Sequence, residues 1–216
     1  MSNSCSSPCG VRWTVIILIA FGAMMAGFFV NQHWHPRFNP QDLYGTFLDK
    51  PRALPSFQAE GTNTKVFSSE QLKNHWTFLF FGFTNCPDVC PTTMHDLTKM
   101  MTILEQKHSD PLPQVVLFSI DPNRDSIARL REYTHAFHTS FIGVRSNKNT
   151  LNLLTKTLGV AFNTVHLKNN QYTLQHTQAV MLINPKGELV AFFTNPHQPE
   201  AMAKDYQSII SHYSSI

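Results

Sequence analysis

The chain has 216 residues, of which 14% are charged and 42% hydrophobic, with 17 Lys+Arg against 14 Asp+Glu for a formal charge of +3. That balance excludes a basic nucleic-acid binder of the usual kind, and the apolar content, including 17 Phe, excludes intrinsic disorder. Four cysteines are too few for a disulfide-stapled scaffold of this length, but 11 His, 8 Met and two close cysteine pairs permit a soft-metal protein.

From Trp13 to Val30, 18 consecutive residues carry no charge, and only Thr14, Gly22 and Gly27 are not apolar. At about 1.5 Å per residue this length spans most of a hydrocarbon core roughly 30 Å thick. A cleaved secretory signal usually has a shorter apolar region of about 7–15 residues. The run therefore predicts an uncleaved transmembrane helix over 13–32, preceded by a tail over 1–12. Nothing ahead of Arg12 resembles an Arg-rich transit peptide, which points to a bacterial inner membrane. Arg12 and Arg37 flank the two ends, so the positive-inside rule is weak here. An anchor this near the N-terminus, followed by a large domain, places that domain in the periplasm. Residues 33–56, with Pro36, Pro40, Pro51 and Pro55, read as a tether. Residues 57–216 then form the external domain, which is nearly neutral because residues 1–30 hold one Arg and no acid.

That domain alternates strands and helices. Thr77–Phe83 and Val115–Ile120 are short apolar runs of the buried-strand kind. Between them, Met94, Leu97, Met101 and Leu104 recur at helical spacing over Pro91–Gln106. Asp125 or Ser126 can cap a helix carrying Ile127, Leu130 and Phe137. A brief strand at Phe141–Val144 precedes a helix bearing Leu151, Leu154 and Leu158, stopped by Gly159. Ala179–Asn184 and Leu189–Phe193 flank Asn184-Pro185-Lys186-Gly187, a turn between antiparallel strands. A last helix starts near Pro199 and buries Met202, Tyr206, Ile209 and Tyr213. This order predicts a thioredoxin-like α/β sandwich, a central mixed sheet flanked by helices.

Cys86 and Cys90 lie in GFTNCPDVCP, after a strand and at the start of a helix, with Pro91 suited to its first turn. The helix N-terminus favours thiolate, the form that is both nucleophile and metal ligand. In a helix-like stretch their Cα atoms fall roughly 6 Å apart, within disulfide range. The pair can close as a disulfide or open as two soft ligands, and two ordinary buried cysteines are the plain alternative.

The sequence resembles the Sco (SenC) family of membrane-anchored copper proteins that assist assembly of the binuclear copper site of cytochrome c oxidase. The resemblance rests on the anchor, Phe80–Pro91 (FFGFTNCPDVCP), Ser119–Asp125 (SIDPNRD), Phe141–Gly143 (FIG), and His176-Thr177 ahead of VMLINPKGELVAFF. It covers roughly residues 50–210. It implies one copper ion, as Cu(I) or Cu(II), bound by Cys86, Cys90 and His176. It also implies a partner, either the copper-bearing subunit of the oxidase or another copper chaperone. Two thiolates and an imidazole suit Cu(I), whereas structural zinc would want a fourth strong ligand.

The expected function is therefore a copper metallochaperone. The alternative is a thiol:disulfide oxidoreductase, with Cys86 and Cys90 as catalytic residues acting on a partner's cysteine pair. A copper or redox sensor would leave the same sequence. The extra residue between the cysteines favours copper, as does the placing of His176 at the start of a strand, where thioredoxin-type oxidoreductases carry a cis-proline. Among the other candidates, His95 is expected to face solvent, and Met94 and Met101 to pack in the core. His33 with His35, and His135 with His138, have spacing that could chelate. Asp88 either sets the local potential, is read by a partner or caps the loop. Asp121, Arg124 and Asp125 are expected to orient the loop beside the metal. Cys5 and Cys9 repeat the Cys-x-x-x-Cys spacing without a strand before them.

Overall fold

The computed structural model describes residues 9–33, 38–168 and 171–215. They fall into two units, residues up to Asn39 and Pro40–Ile216. The first holds helix α1, Cys9–His33, whose described side chains, 13–28, are all exposed. Among the described residues, no helix is long and apolar enough to cross a membrane.

The second unit is built on a mixed sheet. Its centre is β4 (Thr77–Gly82), buried at every position, as a near-continuous apolar run must be when both faces are covered. It pairs in parallel with β5 (Gln114–Ser119), which pairs in parallel with β6 (Ile142–Arg145). On its other side it pairs antiparallel with β9 (Val180–Ile183), and β9 with β10 (Glu188–Phe193). The strand order is β1 (Thr46–Ala53), β10, β9, β4, β5, β6, β2 (Gln58–Gly61), β3 (Phe67–Ser68).

Helix α2 (Val89–Gln106) buries Met94, Leu97, Met101 and Leu104, the positions read from their spacing. Helix α3 (Ile127–Phe137) is capped by Ser126, whose side chain accepts from the Arg129 N–H. Helix α4 (Lys148–Leu158) ends at Gly159, whose φ of 72° is the left-handed geometry that glycine supplies without a Cβ clash. Helix α5 (Pro199–Ser214) buries Met202, Tyr206 and Ile209, while Tyr213 is only half-buried, edge-on to Trp76. The turn before β10 is held by the Asn184 side chain, which accepts from the backbone N–H groups of Lys186 and Glu188. This is the mixed, helix-flanked sheet expected of a thioredoxin-like sandwich.

Three regions differ from the sequence expectation. The tether predicted over 33–56 is partly strand: β1 (Thr46–Ala53) pairs with β10 at the sheet edge. It carries Asp49, Lys50, Pro51 and Arg52 and buries no side chain, so it shows no apolar alternation. Its register shifts between Phe47 and Arg52, and an edge strand at an irregularity is where a proline is tolerated. The short strands β2 (Gln58–Gly61) and β3 (Phe67–Ser68) lie at the opposite edge. Finally, β7 (Phe162–His166) and β8 (Tyr172–His176) form a separate antiparallel hairpin. Their mostly half-exposed, polar residues hide the pattern.

Candidate metal centre

Strand β4 delivers the chain to the sheet's end at Gly82, and α2 begins at Val89, so the cysteines lie across the strand-to-helix turn. Cys90 is fully buried and Cys86 half-buried. Gly82 makes room for the former: a Cβ there would stand 3.1 Å from the Cys90 Sγ and 2.8 Å from a Phe80 ring carbon. The third group arrives from the hairpin. His176 is the last residue of β8, four residues ahead of β9, and not the first residue of a strand as its sequence position suggested. Its ring packs against Phe80 and Phe83, at centroid distances of 5.9 and 6.1 Å.

The three side chains converge. The Sγ atoms of Cys86 and Cys90 and a ring nitrogen of His176 all lie within 4.8 Å of one another. The Cys90 Sγ is 3.5 Å from His176 Nε2. At 2.9 Å, His176 Nδ1 faces the Thr177 carbonyl, which can only accept. The proton of a neutral imidazole therefore sits on Nδ1, and Nε2 turns a bare lone pair toward the sulfurs. Two soft sulfurs and one imidazole nitrogen, buried to half-buried and free of any hard oxygen donor in the set, match the preferences of copper.

The two thiols are electrostatically unequal. The Cys90 thiol donates toward the Cys86 sulfur, and this lowers the Cys86 pKa to about 4, with smaller help from the backbone N–H groups of Cys90 and Asp88 against the opposing effect of burial. The Cys90 N–H lies 3.4 Å from that sulfur. Cys90, the proton donor of the pair and the more deeply buried, is pushed up instead. The pair thus holds one proton on the inner sulfur and a thiolate on the outer one at neutral pH.

The surrounding polar groups fasten this arrangement. Asp125 is buried and accepts from the hydroxyls of Thr84 and Ser119, both at 2.6 Å, and so ties the cysteine loop to the end of β5. Asp121 pairs with Arg124 and accepts from the Tyr172 hydroxyl at 2.8 Å. Asp125 therefore braces the cysteines, while Asp121 and Arg124 grip the hairpin carrying His176. Gly82, Thr84 and Tyr172 were not singled out by sequence. A glycine just ahead of a cysteine loop was the available signal for the first, and no local signal marked the others.

The remaining candidates do not join the cluster. His95 is exposed, and Met94 and Met101 are core residues. His135 is exposed, and His138 is engaged by Ser140 and Glu105. Asp88 is exposed at the N-cap of α2 and makes no side-chain capping bond, which removes the loop-cap reading. Cys5 and His35 lie outside the described residues, as do the side chains of Cys9 and His33.

The profile of the SCO1/SenC family matches residues 47–211. An SCO2-like protein of Rickettsia conorii is 30% identical over 190 residues, covering 87% of this chain and 90% of its own length. The copper-bound crystal structure of yeast Sco1 is similar at TM-score 0.67 and 26% identity, over 77% of this chain and 91% of that one. Apo Sco1 of Thermus thermophilus matches at TM-score 0.69 and 30% identity, over 77% of this chain and 96% of that one.

Proposed function

The chain belongs to the SCO1/SenC family, and on that premise we propose that it is a copper metallochaperone holding one copper ion through Cys86, Cys90 and His176. The observation that carries this reading is the convergence of two sulfurs with His176 Nε2, whose lone pair is aimed inward by the Nδ1 contact to Thr177. In this role Cys86 is the entry and exit ligand, because it is the more exposed sulfur and a thiolate at neutral pH. Copper is cargo, and an incoming thiolate of an acceptor displaces one ligand at a time. The acceptor we propose is the copper-bearing subunit of cytochrome c oxidase or another copper chaperone, the partners implied by the family resemblance. The uncharged run Trp13–Val30 supports a membrane anchor, with the domain that includes β1, residues 40–216, lying in the periplasm of a bacterial inner-membrane protein.

The test is a titration of the full-length reduced protein with Cu(I) against a competing chelator. One tightly bound ion, lost in Cys86→Ser, Cys90→Ser and His176→Ala, supports the reading; undiminished binding in His176→Ala overturns the ligand set. The second reading, thiol:disulfide exchange, draws on the unequal thiols, since a low-pKa outer sulfur and a protonated inner one suit attack and resolution. Reduction of a partner's cysteine pair that survives His176→Ala would favour it.

A further inference from the structure

Beside the cysteine loop lies an open cavity of about 660 Å³, walled by Thr84, Arg124, Ser126, Arg129, Glu132 and Tyr133 among others. We propose that this cavity holds the carboxylate end of a low-molecular-weight thiol, or of its disulfide, and presents the sulfur to Cys86. The inference rests on the exchange chemistry of the cysteine pair described above.

Arg129 is the anchor. Its Nε donates to the Thr84 hydroxyl at 2.8 Å, and its terminal nitrogen donates to the Asn85 side-chain carbonyl. Both partners are neutral, so the guanidinium is held in place while its charge stays available. Arg124 is different, since its charge is spent on Asp121 and it also donates to the Tyr172 carbonyl. Glu132 is the one acidic residue in the wall and opposes an anionic guest.

The span fits a thiol peptide. Asn85 immediately precedes Cys86, so the guanidinium and the sulfur lie on the order of 10 Å apart. That is the reach between carboxylate and sulfur in a cysteine-containing tripeptide. Of the two sulfurs only Cys86 is accessible, because Cys90 is fully buried. With a small disulfide RSSR, the Cys86 thiolate attacks one sulfur, forming Cys86–S–SR and releasing RS⁻. Cys90 then loses its proton and attacks Cys86, closing the Cys86–Cys90 disulfide and releasing a second RS⁻. The protein dithiol is oxidised by two electrons and RSSR is reduced to two thiols. The reverse sequence reduces the protein with two RSH.

The test compares two disulfides on the reduced, copper-free full-length protein, with closure of the Cys86–Cys90 bond followed by mass spectrometry. Oxidised glutathione carries carboxylates, and 2-hydroxyethyl disulfide carries no charge. The inference predicts that the wild type prefers oxidised glutathione. It also predicts that Arg129→Gln lowers the rate ratio by roughly three- to fivefold, the scale of one exposed charge pair. Glu132→Gln should raise the same ratio, a gain that misfolding would not produce. A wild type that reacts equally with both disulfides overturns the subsite while leaving the thiol chemistry standing. Equal losses with both disulfides in Arg129→Gln also overturn it, since they would show Arg129 bracing the loop only. Reaction with neither overturns the exchange reading and this inference with it.

Discussion

Arg124 lies across the ring of Tyr172, its Cζ 3.8 Å from the ring centroid, and the same guanidinium donates to the Tyr172 carbonyl at 2.9 Å. The Tyr172 hydroxyl reaches back to Asp121, the ion-pair partner of Arg124. This closed set clamps the first residue of β8 to the loop after β5, and β8 ends four residues later at His176. The histidine is thus positioned from a distance by a pair that belongs to a different loop.

Truncating that clamp should loosen the histidine without touching the cysteines. Arg124→Ala is expected to weaken Cu(I) binding by roughly 10–100-fold, the usual cost of removing an outer-shell support. Alkylation of Cys86 should be little changed. Competition titration and iodoacetamide kinetics, run side by side, separate the two effects.

The depressed pKa of Cys86 sets a pH profile. Its thiolate is lost as pH falls through about 4, so alkylation by iodoacetamide should be half-maximal there. An unperturbed thiol would keep gaining reactivity up to about 8.5. Cys90→Ala removes the thiol donor with the largest effect on Cys86, so the half-maximal pH of that variant should rise. An unchanged profile would show that the Cys90 thiol is not what lowers the pKa.

Gly82 is expected to tolerate no side chain. In Gly82→Ala the new Cβ meets the Cys90 Sγ, a Leu117 methyl and the Phe80 ring at 3.1, 3.0 and 2.8 Å. Overpacking of this kind costs about 1–3 kcal/mol. A fall in thermal midpoint together with weaker Cu(I) binding is expected, because the displaced atom is a sulfur of the site.

Asp125 is expected to matter more for the loop than for copper chemistry. Asp125→Ala leaves the Ser119 hydroxyl buried without its acceptor and frees Thr84, at a cost of about 2–4 kcal/mol. Asp125→Asn keeps one acceptor and should lose less. Equal losses in chemical denaturation would show that the negative charge, more than the hydrogen bonds, secures the loop.

Much of the architecture was legible because it rests on local patterns. The unbroken apolar run of β4, the helical spacing of Met94, Leu97, Met101 and Leu104, the Gly159 stop and the Asn184 turn each express a backbone preference that a short window contains. The edge strand β1 was not legible, since Lys50, Pro51 and Arg52 serve an exposed edge where burial imposes no alternation. The hairpin β7–β8 was hidden for the same reason.

By itself the sequence determined the strand–cysteine–helix order, because Cys86 and Cys90 sit four residues apart on one turn and the helix behind them has its own periodicity. It marked His176 only by resemblance. The tertiary structure alone decided that Nε2 faces the sulfurs, that Cys90 is the inner thiol and Cys86 the outer, and that Asp121 with Arg124 grips the hairpin while Asp125 braces the cysteine loop. Those relations join residues 86 apart for Cys90 with His176, 48 for Arg124 with Tyr172 and 41 for Thr84 with Asp125. Contacts at that separation depend on how strands pair and where a hairpin lands, which no local propensity encodes.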